Sequence, residues 1–220
     1  MTNYKAFPVT ACLVLTRNIK QILIAMVVAV MMSPSSIAQK PNMSQTEYLK
    51  EPRILTKDNL RMLVVEAKGD PGIIGGKAFS LLFQLYFSMQ ERPQVSMQAI
   101  QRARWPVSLD APRSEWIGLY ALPVPESITQ LPQYEEQEGL KVSLTTWEYG
   151  EVAEIVHVGP YDREGPTIKQ LIEFIKEQGY DIVDGHEEEY IKGPTMDGKG
   201  DPEKYVTILR YRVRKPARNN

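Results

Sequence analysis

The chain has 220 residues, with 26 lysines and arginines against 27 aspartates and glutamates, so its formal net charge is −1 at pH 7. Neither this balance nor any basic cluster or helix-turn-helix pattern indicates a nucleic-acid-binding protein. The single cysteine, Cys12, excludes an intrachain disulfide.

The first 38 residues are organised like a signal peptide. A basic region with Lys5 and no acidic residue extends to Lys20, and an apolar run from Ile22 to Met32 follows it. Small residues, ending at Ala38, occupy the positions that a signal peptidase requires, so we expect cleavage after Ala38 and export to the periplasm or the medium. Because the basic region is long, an uncleaved membrane anchor is the alternative, although the apolar run is short for a transmembrane helix. After cleavage the chain would contain no cysteine.

The rest of the chain divides into five segments by composition. Two carry strand and helix patterns, residues 59–124 and 141–214, and together they predict one domain built of two modules. Three are polar: a lead-in (39–58), a linker rich in proline and glutamate (125–140) and a tail (215–220). We expect the linker to be exposed and the lead-in and tail to be loosely packed.

The first module begins with an apolar strand, Leu60–Ala67. Gly72–Gly76 predicts a flexible entry into a helix, whose apolar residues recur at i, i+3, i+4 and i+7: Ala78, Leu81, Leu82 and Leu85. A third element falls within residues 95–107, where the pattern is weak. Trp116–Pro123 is predicted to be the closing strand.

The second module repeats this order. A strand at Ala153–Val158 is broken by Gly159-Pro160-Tyr161, and a helix follows with a proline in its first turn and Gly179 after its last. Its apolar stripe is formed by Ile168, Leu171, Ile172 and Ile175. Two strands complete the module, a charged one at Glu187–Ile191 and an alternating one at Val206–Val213.

The two modules match at a constant displacement of 90 positions. The first strands, the helices, the closing strands and the glycines Gly69 and Gly159 all correspond at this offset. The sequence therefore predicts an α+β fold of two strand-helix-strand-strand repeats related by a pseudo-two-fold axis. The seam between such repeats is a natural cleft for a small molecule.

Four short motifs carry a family resemblance through their order and spacing: Arg113–Gly118, His157–Tyr161, Gly179-Tyr180 and Glu188–Tyr190. With the repeat, they resemble the GyrI-like family, which also occurs as the effector-binding domain of multidrug-responsive transcription regulators. The resemblance covers about residues 59–214 and implies a curved antiparallel sheet with helices on one face. It also implies a cleft that binds bulky cationic or aromatic molecules, and some members hydrolyse strained cyclopropane-containing toxins.

Glu188 is the candidate cleft carboxylate, since it matches the family's Glu-x-Tyr spacing. Side chains alternate along a strand, so Glu188 and Tyr190 share one face while Glu187 and Glu189 share the other. A carboxylate among aromatic rings would attract a cationic ligand, and Tyr190 would offer a ring face or a hydroxyl. The alternative is that all three glutamates lie on a solvated edge.

Four further aromatic residues are candidates for the cleft wall: Tyr161, Trp116, Tyr120 and Trp147. Tyr161 lies at the turn before the second helix, and Trp116 and Tyr120 lie in the closing strand of the first module. Aromatic residues at such positions also serve as core residues, and this alternative stays open for each of them.

The two histidines, His157 and His186, show no metal-ligand spacing, and we expect neither a metal nor another cofactor. Three functions remain. The first is an exported module that binds a bulky cationic or aromatic small molecule. The second is a hydrolase in which Glu188 activates water. The third is a protein-interaction module without an enclosed pocket.

Overall fold

The computed structural model describes residues 50–89, 100–106, 111–195 and 199–217. The predicted signal peptide and most of the polar lead-in lie outside the described residues. Within the described ranges, no helix combines the length and apolar character needed to cross a membrane.

The described residues form an α+β domain, as the sequence predicts. Its elements in chain order are β1 (Arg53–Lys57), β2 (Leu60–Lys68), α1 (Pro71–Ser88), β3 (Arg102–Trp105), β4 (Ile117–Pro123), β5 (Leu140–Trp147), β6 (Gly150–Val158), α2 (Gly165–Glu177), β7 (Asp181–Ile182), β8 (His186–Lys192) and β9 (Val206–Arg214). The strands form one open sheet in the order β1-β6-β9-β8-β3-β4-β2-β5, with β7 pairing with β9. The pairings are antiparallel, and the β3–β8 pair joins the two modules at the centre of the sheet.

The repeat extends to the register of the strands. Lys57 of β1 is opposite Gly150 of β6, and at the 90-residue offset Trp147 of β5 is opposite Leu60 of β2. The second module therefore receives β1, which precedes β2, as an edge strand beside β6. In the same way the first module receives β5, which precedes β6, as an edge strand beside β2. Both Gly69 and Gly159 have positive φ, at 134° and 141°.

Strand β1 corrects the prediction of a loosely packed lead-in. Its five residues, Arg53–Lys57, contain only two strongly apolar side chains, and none of the five is fully buried. Five residues are too few to show the alternation of apolar and polar side chains that would predict a strand. It is held by its ladder with β6, a strand about 100 positions away in the chain.

Helix α1 corrects a second expectation. Residues Gly72–Gly76 are not a flexible entry but belong to the helix, which begins at Pro71. The side chain of Asp70 accepts a hydrogen bond of 2.8 Å from the amide of Gly72, and proline suits the first helical position. The predicted apolar stripe of α1, Ala78 to Leu85, is buried against the sheet.

Helix α2 ends as predicted at Gly179, whose φ is 69°. The amide of Tyr180 donates to the carbonyl of Ile175, and the amide of Gly179 donates to that of Lys176. This pair of bonds is a Schellman motif. Leu171 and Ile175 are buried against β6 and β9, while Ile168 and Ile172 are half-buried.

The two faces of the sheet have different surroundings. The helices cover one face, where the core of each module lies. On the opposite face, Val152 of β6 and Val64 of β2 belong to one buried cluster, although four strands separate β6 from β2 in the sheet. The sheet is therefore strongly curved around this second face.

The linker is packed more closely than its composition predicts. Ile128, Leu131 and Tyr134 contact the core of the first module, and β5 begins at Leu140. Spaced among prolines and glutamates, these apolar residues form no regular period, so their burial depends on tertiary contact. In the tail, the Lys215 ammonium donates to the carbonyl of Gln178.

Candidate ligand-binding site

A cavity of about 930 Å³ lies between the N-terminal parts of α1 and α2. The first half of α1, from Pro71 to Phe79, forms one side, and Tyr161 to Ile168 form the other. Strands β3, β4 and β8 contribute the sheet side. The cavity thus lies at the seam between the two modules, where the repeat predicts it.

Seven aromatic rings line this cavity in a continuous series of ring contacts, with centroid distances of 4.9 to 6.0 Å between neighbours. In order of contact they are Trp116, Trp105, Tyr120, Phe79, Tyr190, Tyr161 and Tyr205. The series presents both ring faces and ring edges, a surface suited to aromatic and cationic groups.

Glu188 lies on the sheet side of the cavity, and its side chain is 12% exposed. One carboxylate oxygen accepts a hydrogen bond of 2.8 Å from the indole of Trp105, and the other accepts one of 2.5 Å from the hydroxyl of Tyr190. Among the described residues, no lysine or arginine lies within 4.0 Å of this carboxylate. The carboxylate is therefore oriented by neutral donors, and no lysine or arginine of the described residues neutralises its charge.

Glu187 and Glu189 point to the opposite face of the sheet, which answers the question left open by three consecutive glutamates. Arg210 donates to both of them, at 2.6 Å to Glu187 and 2.9 Å to Glu189. Arg104 also pairs with Glu187, and Arg102 pairs with Glu189. The alternation of the strand therefore separates one cavity carboxylate from two buried ion-paired ones.

Glu164 is a second carboxyl group in the cavity wall, located at the first turn of α2 and 4% exposed. Burial and the negative charge of nearby Glu188 raise the pKa of Glu164 to about 9. One of its oxygens, Oε1, is buried without a hydrogen-bond partner in the described structure. The two carboxyl groups thus share a site in which no lysine or arginine of the described residues pairs with them.

His186 lies beside these two groups and is 2% exposed. Its Nε2 atom is 3.5 Å from Oε1 of Glu188, and neither ring nitrogen forms a hydrogen bond with a described residue. One atom from each of Glu164, His186 and Glu188 lies within 4.8 Å of the other two. His186 therefore lies in a cluster with two carboxyl groups that the spacing of the histidines in the sequence does not indicate.

The cavity tyrosines are hydrogen-bond donors at neutral pH. Burial raises the pKa of Tyr120 to about 12, with a further contribution from the negative charges of Glu188 and Asp70. Burial and the adjacent Glu188 carboxylate likewise raise the pKa of Tyr190 well above its ordinary value. The Tyr190 hydroxyl consequently remains protonated and continues to donate to Glu188.

The structure brings together five of the six residues predicted for the cleft: Glu188, Tyr190, Tyr161, Trp116 and Tyr120. Trp147 is not among the lining residues. It is 4% exposed on the opposite face, where its ring lies 4.1 Å from the guanidinium of Arg104. As the last residue of β5 it belongs to an edge strand that the sequence did not reveal.

The lining residues that the sequence analysis missed include Phe79, Trp105, Glu164 and Tyr205. Trp105 lies in the third element, which has no clear pattern. Tyr205 precedes β9 as Trp116 precedes β4, but the 90-residue offset aligns Trp116 with Val206, so the repeat did not indicate Tyr205. The amides of Gly159 and Gly69 donate to the carbonyls of Tyr205 and Trp116, respectively.

No protein-family model matches the chain, and no curated protein matches it. Similar solved structures include an uncharacterized conserved protein from Listeria innocua, with 20% identity, a TM-score of 0.55, and coverage of 75% of this chain and 93% of that one. A hydrolase from the same organism has 18% identity and a TM-score of 0.54, covering 75% and 92%. The C-terminal domain of EcmrR has 12% identity and a TM-score of 0.53, covering 76% and 98%.

At these identities the similarity concerns the fold alone. It agrees with the α+β fold that the sequence predicts. The same fold occurs in a protein named as a hydrolase and in a domain of a protein solved in complex with DNA. The chemistry of this chain must therefore be argued from its own cavity.

Proposed function

We propose that this protein binds a bulky hydrophobic cation in the cavity between its two modules. The observation that carries the proposal is Glu188, a carboxylate held by Trp105 and Tyr190 and surrounded by aromatic rings. A concave aromatic wall with one oriented charge selects for a large apolar ligand of opposite charge.

The charge of the cavity wall supports this ligand class. Among the lining residues, Asp162, Glu164 and Glu188 are acidic, and the single basic one is Arg113. Because its pKa is raised to about 9, Glu164 is protonated at neutral pH and adds no negative charge. Arg113 is paired with Asp70 at 3.2 Å, and its side chain is largely exposed. A ligand cation would thus meet an excess of negative charge, whereas an anion of the same size would find no lining cation free to neutralise it.

The partial burial of Glu188 and Tyr190 argues against the third function, a protein-interaction module. That reading requires both side chains to be exposed on an open surface, whereas both line a cavity. Export, to the periplasm or the medium, remains part of the proposal and rests on the N-terminal sequence alone.

The proposal is tested by a pair of ions that share one shape and differ in charge. Isothermal titration of the full, untagged chain with tetraphenylphosphonium and with tetraphenylborate, in EDTA, should show binding of the cation and not of the anion. Glu188→Gln should weaken cation binding by roughly tenfold or more, the magnitude expected for a partly desolvated charge pair. Glu173→Gln, on the exposed side of α2, is the matched control and should bind like the parent chain.

Equal binding of the two ions, or an unchanged affinity in Glu188→Gln, would contradict the proposal. A thermal shift provides a second readout, because ligand binding to the native state raises the melting temperature.

Hydrolysis of an electrophilic ligand is the second candidate function. It is favoured by the second carboxyl group, Glu164, since two carboxyl groups at one site can divide the roles of acid and base. Mass spectrometry of a cyclopropane-containing electrophile incubated with the protein would detect addition of water. In that case Glu188→Gln should still bind the compound and should stop its turnover.

A further inference from the structure

Several buried polar atoms without a geometric hydrogen-bond partner lie close together beside the cavity. Within the described part of the chain they are Oε1 of Glu164 and both ring nitrogens of His186. The hydroxyl of Thr207 lies near Glu164 and can bond one of its oxygens, but His186 has no such neighbour among the described residues. Buried polar atoms are ordinarily paired, so three such atoms on two neighbouring side chains indicate a missing partner.

These side chains and Glu188 converge on a common point. One carboxylate oxygen from each glutamate and one ring nitrogen of His186 all lie within 4.8 Å of one another. A metal bound at about 2.0 to 2.2 Å by such atoms would hold its ligands roughly 3 to 4 Å apart. The cluster is slightly wider than a loaded site and would contract around an ion.

We propose that Glu164, His186 and Glu188 form a binding site for a divalent transition metal, with Zn²⁺ as the best fit. An imidazole with two carboxylates is a donor set that Zn²⁺ accepts, whereas Mg²⁺ and Ca²⁺ prefer oxygen alone. Two carboxylates would also balance the charge of a divalent ion.

The elements and hydrogen bonds that position the three side chains suit a bound metal. His186 and Glu188 are on the same face of β8, and Glu164 approaches from the start of α2. Trp105 and Tyr190 donate to Glu188 and would orient it as outer-shell partners of the ion. Because Glu164 and Glu188 line the cavity, the open side of the metal would face any bound molecule.

The site is tested with the metals alone, on the full untagged chain and without any organic ligand. Titration with Zn²⁺ should show one ion per chain, and Co²⁺ should give the visible absorption of a low-coordinate complex. Glu164→Gln and His186→Gln should each weaken Zn²⁺ binding by roughly tenfold or more. His157→Gln is the matched control, since His157 is the other histidine and is hydrogen-bonded to Thr167 and to the carbonyl of Pro160.

The proposal is overturned if Zn²⁺ does not bind, or if His157→Gln removes binding while His186→Gln and Glu164→Gln do not. Circular dichroism of each variant shows whether it is folded. If His186→Gln does not fold, Glu164→Gln, whose side chain lines the cavity, still tests the site. A failure to bind Zn²⁺ would leave the proposed function intact, because binding of tetraphenylphosphonium is measured in EDTA and needs no metal. Zn²⁺ added back should compete with the organic cation, since both would use Glu188.

Discussion

The two faces of β8 place chemically identical side chains in opposite electrostatic surroundings. Glu187 and Glu189 lie on the curved inner face, where Arg102, Arg104 and Arg210 pair with them. Glu188, between them in the chain, lies on the helix-covered face and receives only an indole and a phenol as donors. The difference shows that the distribution of arginine, and not burial, separates the ion-paired carboxylates from the one that no arginine of the described residues neutralises.

The pKa values of the buried carboxyl groups express this difference. Burial alone would raise the pKa of Glu189, but the charges of Arg102 and Arg210 outweigh it and lower that pKa to about 2. For Glu164 on the other face, burial and Glu188 act in the same direction and raise the pKa to about 9. Two similarly buried glutamates thus differ because their neighbours have opposite charges.

The largest expected effect comes from removing the shared cation of the inner face. Arg210 binds Glu154, Glu187 and Glu189, so Arg210→Met would leave three buried carboxylates undercompensated. We expect the free energy of unfolding in urea to fall by about 3 to 5 kcal/mol. Arg212→Met, two residues along the same strand, removes a partly exposed pair with Asp184 and a hydrogen bond to the carbonyl of Tyr149, and should cost only about 1 to 2 kcal/mol. Similar losses in the two variants would contradict the account of the inner face.

Acid should destabilise the fold through the ion pairs of the inner face, because Glu189 is ionised in the folded protein down to a pH of about 2. A carboxyl group whose pKa is lower in the folded state contributes stability that is complete above its unfolded pKa of about 4.5. That stability is lost as the pH falls from about 4.5 towards 2, because the unfolded chain binds the proton more tightly. The free energy of unfolding should therefore decline over this range in the parent chain, and less steeply in Glu189→Gln. Parallel declines in both proteins would mean that Glu189 is not the group responsible.

The smallest effect concerns the two tryptophans that the sequence assigned to the cleft. Trp116→Phe should weaken tetraphenylphosphonium binding severalfold, because a smaller ring offers less area and a weaker attraction to a cation. Trp147→Phe, on the other face, should leave that affinity within a factor of about two and cost up to about 1 kcal/mol of stability through its contact with Arg104. Fluorescence-detected binding and urea unfolding measure both quantities, and an equal loss of affinity in the two variants would place Trp147 in the site after all.

Local patterns in the sequence predict much of this fold. The stripes of α1 and α2 and the 90-residue offset identify both helices, their preceding strands and the seam between the modules. The alternation of β8 places Glu188 and Tyr190 on one face, since side-chain direction along a strand is a local property. The choice of Glu188 itself depended on the family resemblance and not on these patterns.

The features that the sequence did not reveal depend on contacts between distant segments. β1 is a strand because β6 is available to pair with it, and Trp105 belongs to a four-residue strand at the centre of the sheet. The pairing of Arg210 with Glu154 joins residues 56 positions apart. Glu164 gave no signal except its place at the start of α2, although helix starts at a seam between repeats are where a ligand cavity would form.

The most direct test compares Glu188→Gln with Glu189→Gln, two identical substitutions at adjacent positions. The account predicts that Glu188→Gln loses tetraphenylphosphonium affinity by roughly tenfold or more and stays within about 1 kcal/mol of the parent stability. It predicts the reverse for Glu189→Gln, which should bind the cation normally when folded and unfold at lower urea concentration. If both variants lose stability alike, or if Glu189→Gln loses the affinity, the division of the sheet into a structural and a functional face is wrong.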